Sequence, residues 1–149
     1  MNAYKQKLPE LKIRYKKGCF VSSKISCSDD AANLFRSVFD ADLIEYREEM
    51  ILLLVNRANH PLGYVKISAG GITGTVCDPR IVFASALCAG ATGILVAHNH
   101  PSGNLCPSEQ DIHLTRKLVS AGKIMDIPLL DHIIITSDSY YSFSDNGLL

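Results

Sequence analysis

The sequence predicts an α/β protein, a three-layer αβα sandwich with a mixed central sheet. Two short apolar runs, residues 50–55 and 93–97, read as strands buried on both faces. Two helix starts fall between strands: Asp78-Pro79, an N-cap followed by proline at the first helical position, and Ser108, a capping hydroxyl. The resulting order, αββαβαβ, places helices on both faces of one sheet. At 149 residues the chain suits one domain with a core that needs no staples.

The elements follow in order. Leu11-Lys12-Ile13-Arg14-Tyr15 alternates apolar and basic residues, as an edge strand does. Residues 1–27 read as an N-terminal arm with that strand, and residues 28–149 as the globular domain. Ser28-Asp29-Asp30 is a cap followed by acids in a first turn. The helix it opens runs to about Phe39 and buries Ala31, Leu34, Phe35 and Val38. The apolar run 50–55 is followed by turn chemistry from Asn56 to Pro61 and a second strand over 62–68, which predicts a hairpin. Gly70, Gly71 and Gly74 mark a tight connection. The helix from Asp78 presents Val82, Phe83, Ala86, Leu87 and Gly90 on one face. Strand 93–97 delivers the chain to His98. The helix capped by Ser108 reaches about Gly122 with Ile112, Thr115 and Val119 at helical spacing, and a strand over 132–136 closes the sheet.

Composition narrows the class. Apolar residues make up 47% and charged residues 20%, a globular balance rather than a disordered one. No run of 18 apolar residues exists, so no membrane span is expected. No apolar segment follows the basic N-terminus, so a secretory signal is not expected and the location is expected to be cytoplasmic. The five cysteines (19, 27, 77, 88 and 106) are odd in number and form no C-x-x-C pair. That argues for reduced thiols, against a disulfide framework and against a cysteine zinc ribbon. Net charge is zero, which gives nucleic-acid binding no general support. Only the first 17 residues are basic: Lys5, Lys7, Lys12, Arg14, Lys16 and Lys17 against Glu10. Such an arm can touch phosphates, though most such segments are solvated termini.

The chemistry concentrates in His98-Asn99-His100-Pro101-Ser102-Gly103, with Ser108 and Asp111 beyond it. Alternation along an extended chain puts His98 and His100 on one face and Asn99 on the other. Pro101 and Gly103 then turn the backbone. Asp111 stands in the first turn of the next helix, where its carboxylate can reach back to the strand end. Two imidazoles and a carboxylate are the ligands a catalytic zinc takes, with one position left for water. Taken alone, Ser108 and Asp111 form a capping box, and a His-x-His pair is surface or core histidine more often than a ligand pair. The conjunction favours a metal site.

A hydrolase also needs a base that does not ligate the metal. Glu48 and Glu49, just before the first buried strand, are the best placed candidates. The Ser108 hydroxyl is a candidate donor to a developing oxyanion. Less weight falls on His60 in the hairpin turn, on His113, which a helix should turn away from the site, and on Cys106 between the ligands. Asp131 could partner a ligand histidine, but capping or hydrogen bonding near the last strand is the preferred reading.

A glutamate upstream, His-x-His-Pro-x-Gly and then Ser-x-x-Asp resembles the pattern of the JAB/MPN (JAMM) metallopeptidases. His98 to Gly103, Pro107-Ser108 with Asp111, Leu130-Asp131-His132-Ile133-Ile134 and Tyr141-Ser142-Phe143 are similar to the bacterial RadC-like branch. Asp78-Pro79-Arg80 and Gly74-Thr75 fit it too. The resemblance covers roughly Ser28 to Leu149.

It implies a JAB/MPN domain, cytidine-deaminase-like in its sandwich. His98, His100 and Asp111 would ligate zinc with a water, and Ser108 would support the tetrahedral intermediate. The family glutamate stands two residues before the residue that begins the strand, here Met50, which selects Glu48 and leaves Glu49 in reserve. Alternation agrees weakly, because Glu48 shares a face with Met50 and Leu52. The implied activity is hydrolysis of an amide bond in a peptide or isopeptide-linked protein by a metal-bound water.

Longer RadC-like proteins carry an N-terminal helix-hairpin-helix region associated with DNA. This chain is read as beginning too late to hold one, which weakens the family's DNA-repair label here. The alternative is a DNA-associated module or nuclease accessory without peptidase activity. A non-catalytic scaffold would be expected to lose a histidine or the aspartate, and this chain keeps all three. The contiguous His98-Asn99-His100 is not an HNH nuclease motif, whose residues are dispersed. A zinc deaminase would need P-C-x-x-C after His-x-Glu, which is missing.

Overall fold

A computed structural model describes residues 23–70 and 76–149. Along the chain they form α1 (Ser28–Val38), β1 (Glu49–Val55), β2 (Pro61–Ala69), α2 (Pro79–Ala89), β3 (Gly93–Asn99), α3 (Glu109–Met125), β4 (Leu129–Ile135) and β5 (Tyr140–Ser142). The strands make one sheet in the order β2-β1-β3-β4-β5. β1 pairs antiparallel with β2 and β3, β3 runs parallel to β4, and β5 returns antiparallel to β4.

The sheet is mixed and has helices on both faces, as the two apolar runs require. All seven residues of β1 and of β3 are buried. Ile51, Leu53, Val55, Leu95, Ala97, Ile133 and Ile135 pack against α1 through Ala31, Ala32 and Phe35. On the other face Leu52, Leu54, Ile94 and Val96 pack against Val82, Phe83 and Ala86 of α2 and Leu118 of α3. One helix therefore covers one face and two cover the other, and the second face carries the site.

Several boundaries differ from the sequence reading. Cys27, not Ser28, is the N-cap of α1, and its side chain makes no capping bond. The Ser28 hydroxyl instead donates to Asp145 across the fold. Leu87 of α2 is 54% exposed rather than part of the buried face. α2 ends at Gly90, whose left-handed φ of 63° suits glycine. β3 continues through His98 and Asn99, two residues past the expected end. α3 runs three residues beyond Gly122, β4 begins at Leu129 rather than His132, and β5 was not expected. The edge strand expected at residues 11–15, and Gly71 and Gly74, lie outside the described residues.

Gly122 shows why α3 needs a glycine near its end. A Cβ there would stand 2.6 Å from the Ile127 carbonyl oxygen and 3.4 Å from the Leu129 nitrogen, both backbone atoms. Gly122→Ala is expected to cost about 1–3 kcal/mol in a thermal melt. Gly63→Ala, with nothing within 4 Å, is expected to be neutral or stabilising by up to about 1 kcal/mol.

Candidate metal centre

The site forms where β3 hands the chain to α3. His98, the penultimate residue of β3, pairs with Met50 on one side and Ile134 on the other. It is 1% exposed and shares its face with Ile94 and Val96. His100 lies one residue past the strand, yet its N–H still donates to the Ile135 carbonyl at 3.0 Å, so the backbone stays in register with β4. The turn that follows is closed by the Gly103 N–H donating to the His100 carbonyl at 3.0 Å, with φ 78° at Gly103.

Two imidazole nitrogens and a carboxylate converge there. The Nε2 atoms of His98 and His100 stand 2.9 Å apart. Asp111 Oδ1 is 3.1 Å from His98 Nε2, and Oδ2 is 3.7 Å from His100 Nε2. One ligand atom from each of the three residues lies within 4.8 Å of the others. His100 Nδ1 faces the Asn104 carbonyl, which only accepts, so the proton of a neutral His100 is on Nδ1 and its Nε2 lone pair faces the cluster. The donor set, imidazole nitrogen and carboxylate oxygen, fits a divalent ion. The group can hold a metal ion.

Asp111 also caps α3. Its Oδ2 accepts from the Ser108 N–H at 2.8 Å and from the Ser108 hydroxyl at 2.7 Å, while Ser108 Oγ accepts from the Asp111 N–H at 3.1 Å. The capping box and the ligand set are one structure, because a carboxylate has two oxygens and uses one mainly for each. Burial opposes its charge, but its hydrogen-bonding contacts with His100, His98 and the Ser108 hydroxyl outweigh it, and Asp111 is held well below the usual carboxylate range. The hydrogen bond to Asp111 raises His100 against its burial, helped by the Asn104 carbonyl and the charges of Asp111 and Glu48. The centre thus favours positive charge.

Glu48 and Glu49 part company. Glu48 lines a cleft of about 690 Å³ together with Met50, His100, Ser108, Asp111 and Leu114. Glu49 is buried away from that cleft, where its carboxylate takes Arg47 at 2.9 Å and Lys66 at 3.5 Å. Asn99 fixes the chain on both sides of Glu48. Its Nδ2 donates to the Arg47 carbonyl at 2.8 Å and to the Ile44 carbonyl at 2.7 Å. Its Oδ1 accepts from the Glu49 N–H at 2.7 Å. The residue between the two histidines therefore ties the Glu48 segment to β3.

One other expectation is revised. His113 does not turn away from the site but lines the same cleft, which extends along α3 through Gln110, Leu114 and Lys117. Asp131 hydrogen-bonds near the last strand, as the preferred reading has it, and not to His98 or His100: it accepts from the Ser142 hydroxyl at 2.6 Å and the Ser144 N–H at 3.0 Å. The partner of His98 is His132, with His98 Nδ1 and His132 Nε2 2.9 Å apart. His132 was passed over as an ordinary strand residue. It is fully buried and stacks on Phe143, ring centroids 4.5 Å apart and planes 9° apart. Burial pushes His132 down, towards neutrality. Cys106 lies exposed on the cleft. Cys77 also lines it, and burial followed by the Asp78 charge raises that thiol to about 11.

A mixed-sheet α/β domain with a His-His-Asp group that can hold a metal ion at a strand end defines the class of protein. The family model of the RadC-like JAB domain matches residues 25–148, and the chain belongs to that family. It is 43% identical over 125 residues to a UPF0758 protein of Flavobacterium johnsoniae, covering 84% of this chain and 53% of that one. A UPF0758 protein of Thermosynechococcus vestitus is 38% identical over 117 residues, 78% of this chain and 47% of its own length. One of Porphyromonas gingivalis is 42% identical over 104 residues, 69% and 46% respectively. The chain spans about half the length of these curated relatives. No helix among the described residues is long and apolar enough to cross a membrane.

Proposed function

We propose that the protein is a zinc-dependent hydrolase of amide bonds, a metallopeptidase or isopeptidase acting on peptides or isopeptide-linked proteins. The observation that carries this reading is the shared cleft. Glu48 lines it beside His100, Ser108 and Asp111, yet stands outside the group that can hold the metal. His98, His100 and Asp111 would hold zinc, which when bound supplies Lewis acidity and lowers the pKa of water towards about 7. Glu48 takes the proton from the attacking water and passes it to the leaving amine. Ser108, whose hydroxyl faces Asp111 Oδ2 at 2.7 Å, turns that proton towards the oxygen that gains charge in the tetrahedral state. The apolar part of the cleft, Met50 and Leu114, shelters the reacting amide from bulk water.

Glu48→Gln is expected to keep its metal and to lose hydrolysis by about 10²–10⁴-fold, the usual contribution of a positioned general base. The test compares wild type with Glu48→Gln on peptide, isopeptide and oligonucleotide libraries. Amide cleavage lost in the variant is the expected result. Cleavage of oligonucleotides that depends on His98 and Asp111 would replace this reading with the nucleic-acid one. A variant that loses its metal as well would show that Glu48 has been given the wrong role.

A further inference from the structure

We infer, on the reading of the site as a zinc centre, that His132 is a positioning residue: it fixes His98 in the tautomer that presents the Nε2 lone pair to the metal. Proton directions along a buried chain of hydrogen bonds lead to this. The Thr115 hydroxyl has one proton and donates it to the Asp111 carbonyl at 2.7 Å. Its oxygen is then an acceptor towards His132 Nδ1, also at 2.7 Å. His132 is fully buried and has no carboxylate hydrogen-bonded to it among the described residues, so it is a neutral imidazole with its proton on Nδ1. Its Nε2 therefore carries a lone pair and accepts from His98 Nδ1–H at 2.9 Å. With that proton on Nδ1, the nitrogen of His98 left for a metal is Nε2, 3.1 Å from Asp111 Oδ1 and 2.9 Å from His100 Nε2.

The chain closes on the centre it serves. It leaves from the side chain of one ligand, crosses from β3 to β4 and then to α3, and returns to the backbone of another. Phe143 holds the His132 ring from its face. Ligand histidines usually donate to a carboxylate, a backbone carbonyl or water. A neutral imidazole gives the same orientation without adding negative charge. The centre keeps one carboxylate in contact with its ligands, and the metal stays a stronger Lewis acid than it would beside a second.

The test uses the full chain in two measurements. Two-bond ¹⁵N–¹H correlation spectra of the metal-free protein read the tautomer of His98 directly, and proton on Nδ1 is expected. Zinc competition against a chromophoric chelator then compares wild type with His132→Phe, His132→Gln and Thr115→Val, each checked for folding by circular dichroism. His132→Phe keeps a ring against Phe143 but has no acceptor, and its zinc Kd is expected to rise by about 10–100-fold. His132→Gln, whose amide oxygen can accept from His98, is expected to recover part of that loss. Thr115→Val is expected to weaken binding in the same direction. A folded His132→Phe with wild-type affinity, or His98 without a proton on Nδ1 in the wild type, overturns the inference. If His132→Phe fails to fold, the wild-type tautomer and Thr115→Val decide it. Wild type that shows the Nδ1–H tautomer but binds no zinc would support the inference and sink the proposed function instead.

Discussion

Wild-type protein purified without chelator is expected to carry about one zinc per chain, and Asp111→Ala and His98→Ala almost none. With three protein ligands, removing one leaves a pair that cannot hold the ion against buffer. His98→Ala also empties a fully buried position between Met50 and Ile134, so its melting temperature should fall. Asp111→Ala opens the capping box of α3, a loss of about 1 kcal/mol. Asp111→Asn separates the two roles. Its side-chain oxygen can still accept from the Ser108 N–H, so the helix start should survive, while the anionic ligand is lost and zinc with it. Elemental analysis of the purified proteins is the measurement. Wild type without stoichiometric metal would remove the basis for the enzyme reading.

Asn99→Ala is expected to cost about 4 kcal/mol and to lower the melting temperature by about 8–16 °C. The amide is fully buried and makes three hydrogen bonds, to the Ile44 and Arg47 carbonyls and from the Glu49 N–H. Alanine leaves those groups with no side chain to bond, and each buried unpaired group costs about 1–3 kcal/mol. Asn99→Asp is a sharper probe. It keeps an acceptor for the Glu49 N–H but turns a second oxygen towards two carbonyls, so it should be no more stable than alanine. Melts of the three proteins check this, and a loss below about 1 kcal/mol for both variants would mean that Asn99 does not hold the 44–49 segment.

The layers of the fold were legible because two runs admit only one reading. Residues 50–55 and 93–97 are apolar at every position, so their strands had to be covered on both sides. Strand ends were harder to see. His98 and Asn99 look like a polar exit from β3, but one joins the His-His-Asp cluster and the other bonds the backbone of a neighbouring segment, so both stay in the sheet. β5 has three residues, too few to show a period.

The convergence of His98, His100 and Asp111 was legible for a similar reason: it is local, and strand alternation followed by a helix cap brings the three together. His132 was not. The ladder between β3 and β4 skips a residue between the pairs Ile94–Leu129 and Leu95–Asp131, so counting along β4 does not give the face of His132. Asp131 next to it is also the more usual partner for a ligand histidine. His113 was misplaced because spacing from Asp111 alone does not reveal how far a cleft extends along a helix.

The ligands stand close together in the chain, all between His98 and Asp111, and this bears on how zinc and folding are linked. An ion that binds only the native state stabilises it by an amount set by its concentration relative to its dissociation constant, and any affinity for the unfolded chain subtracts from that. Ligands so near in sequence can meet in the unfolded chain as well. Folding contributes chiefly the partners on the far side of each imidazole, His132 against His98 and the Asn104 carbonyl against His100, which orient the rings. Zinc should therefore raise the melting temperature by less than its native affinity alone would give. The shortfall measures how much of the centre is already available before the sheet forms.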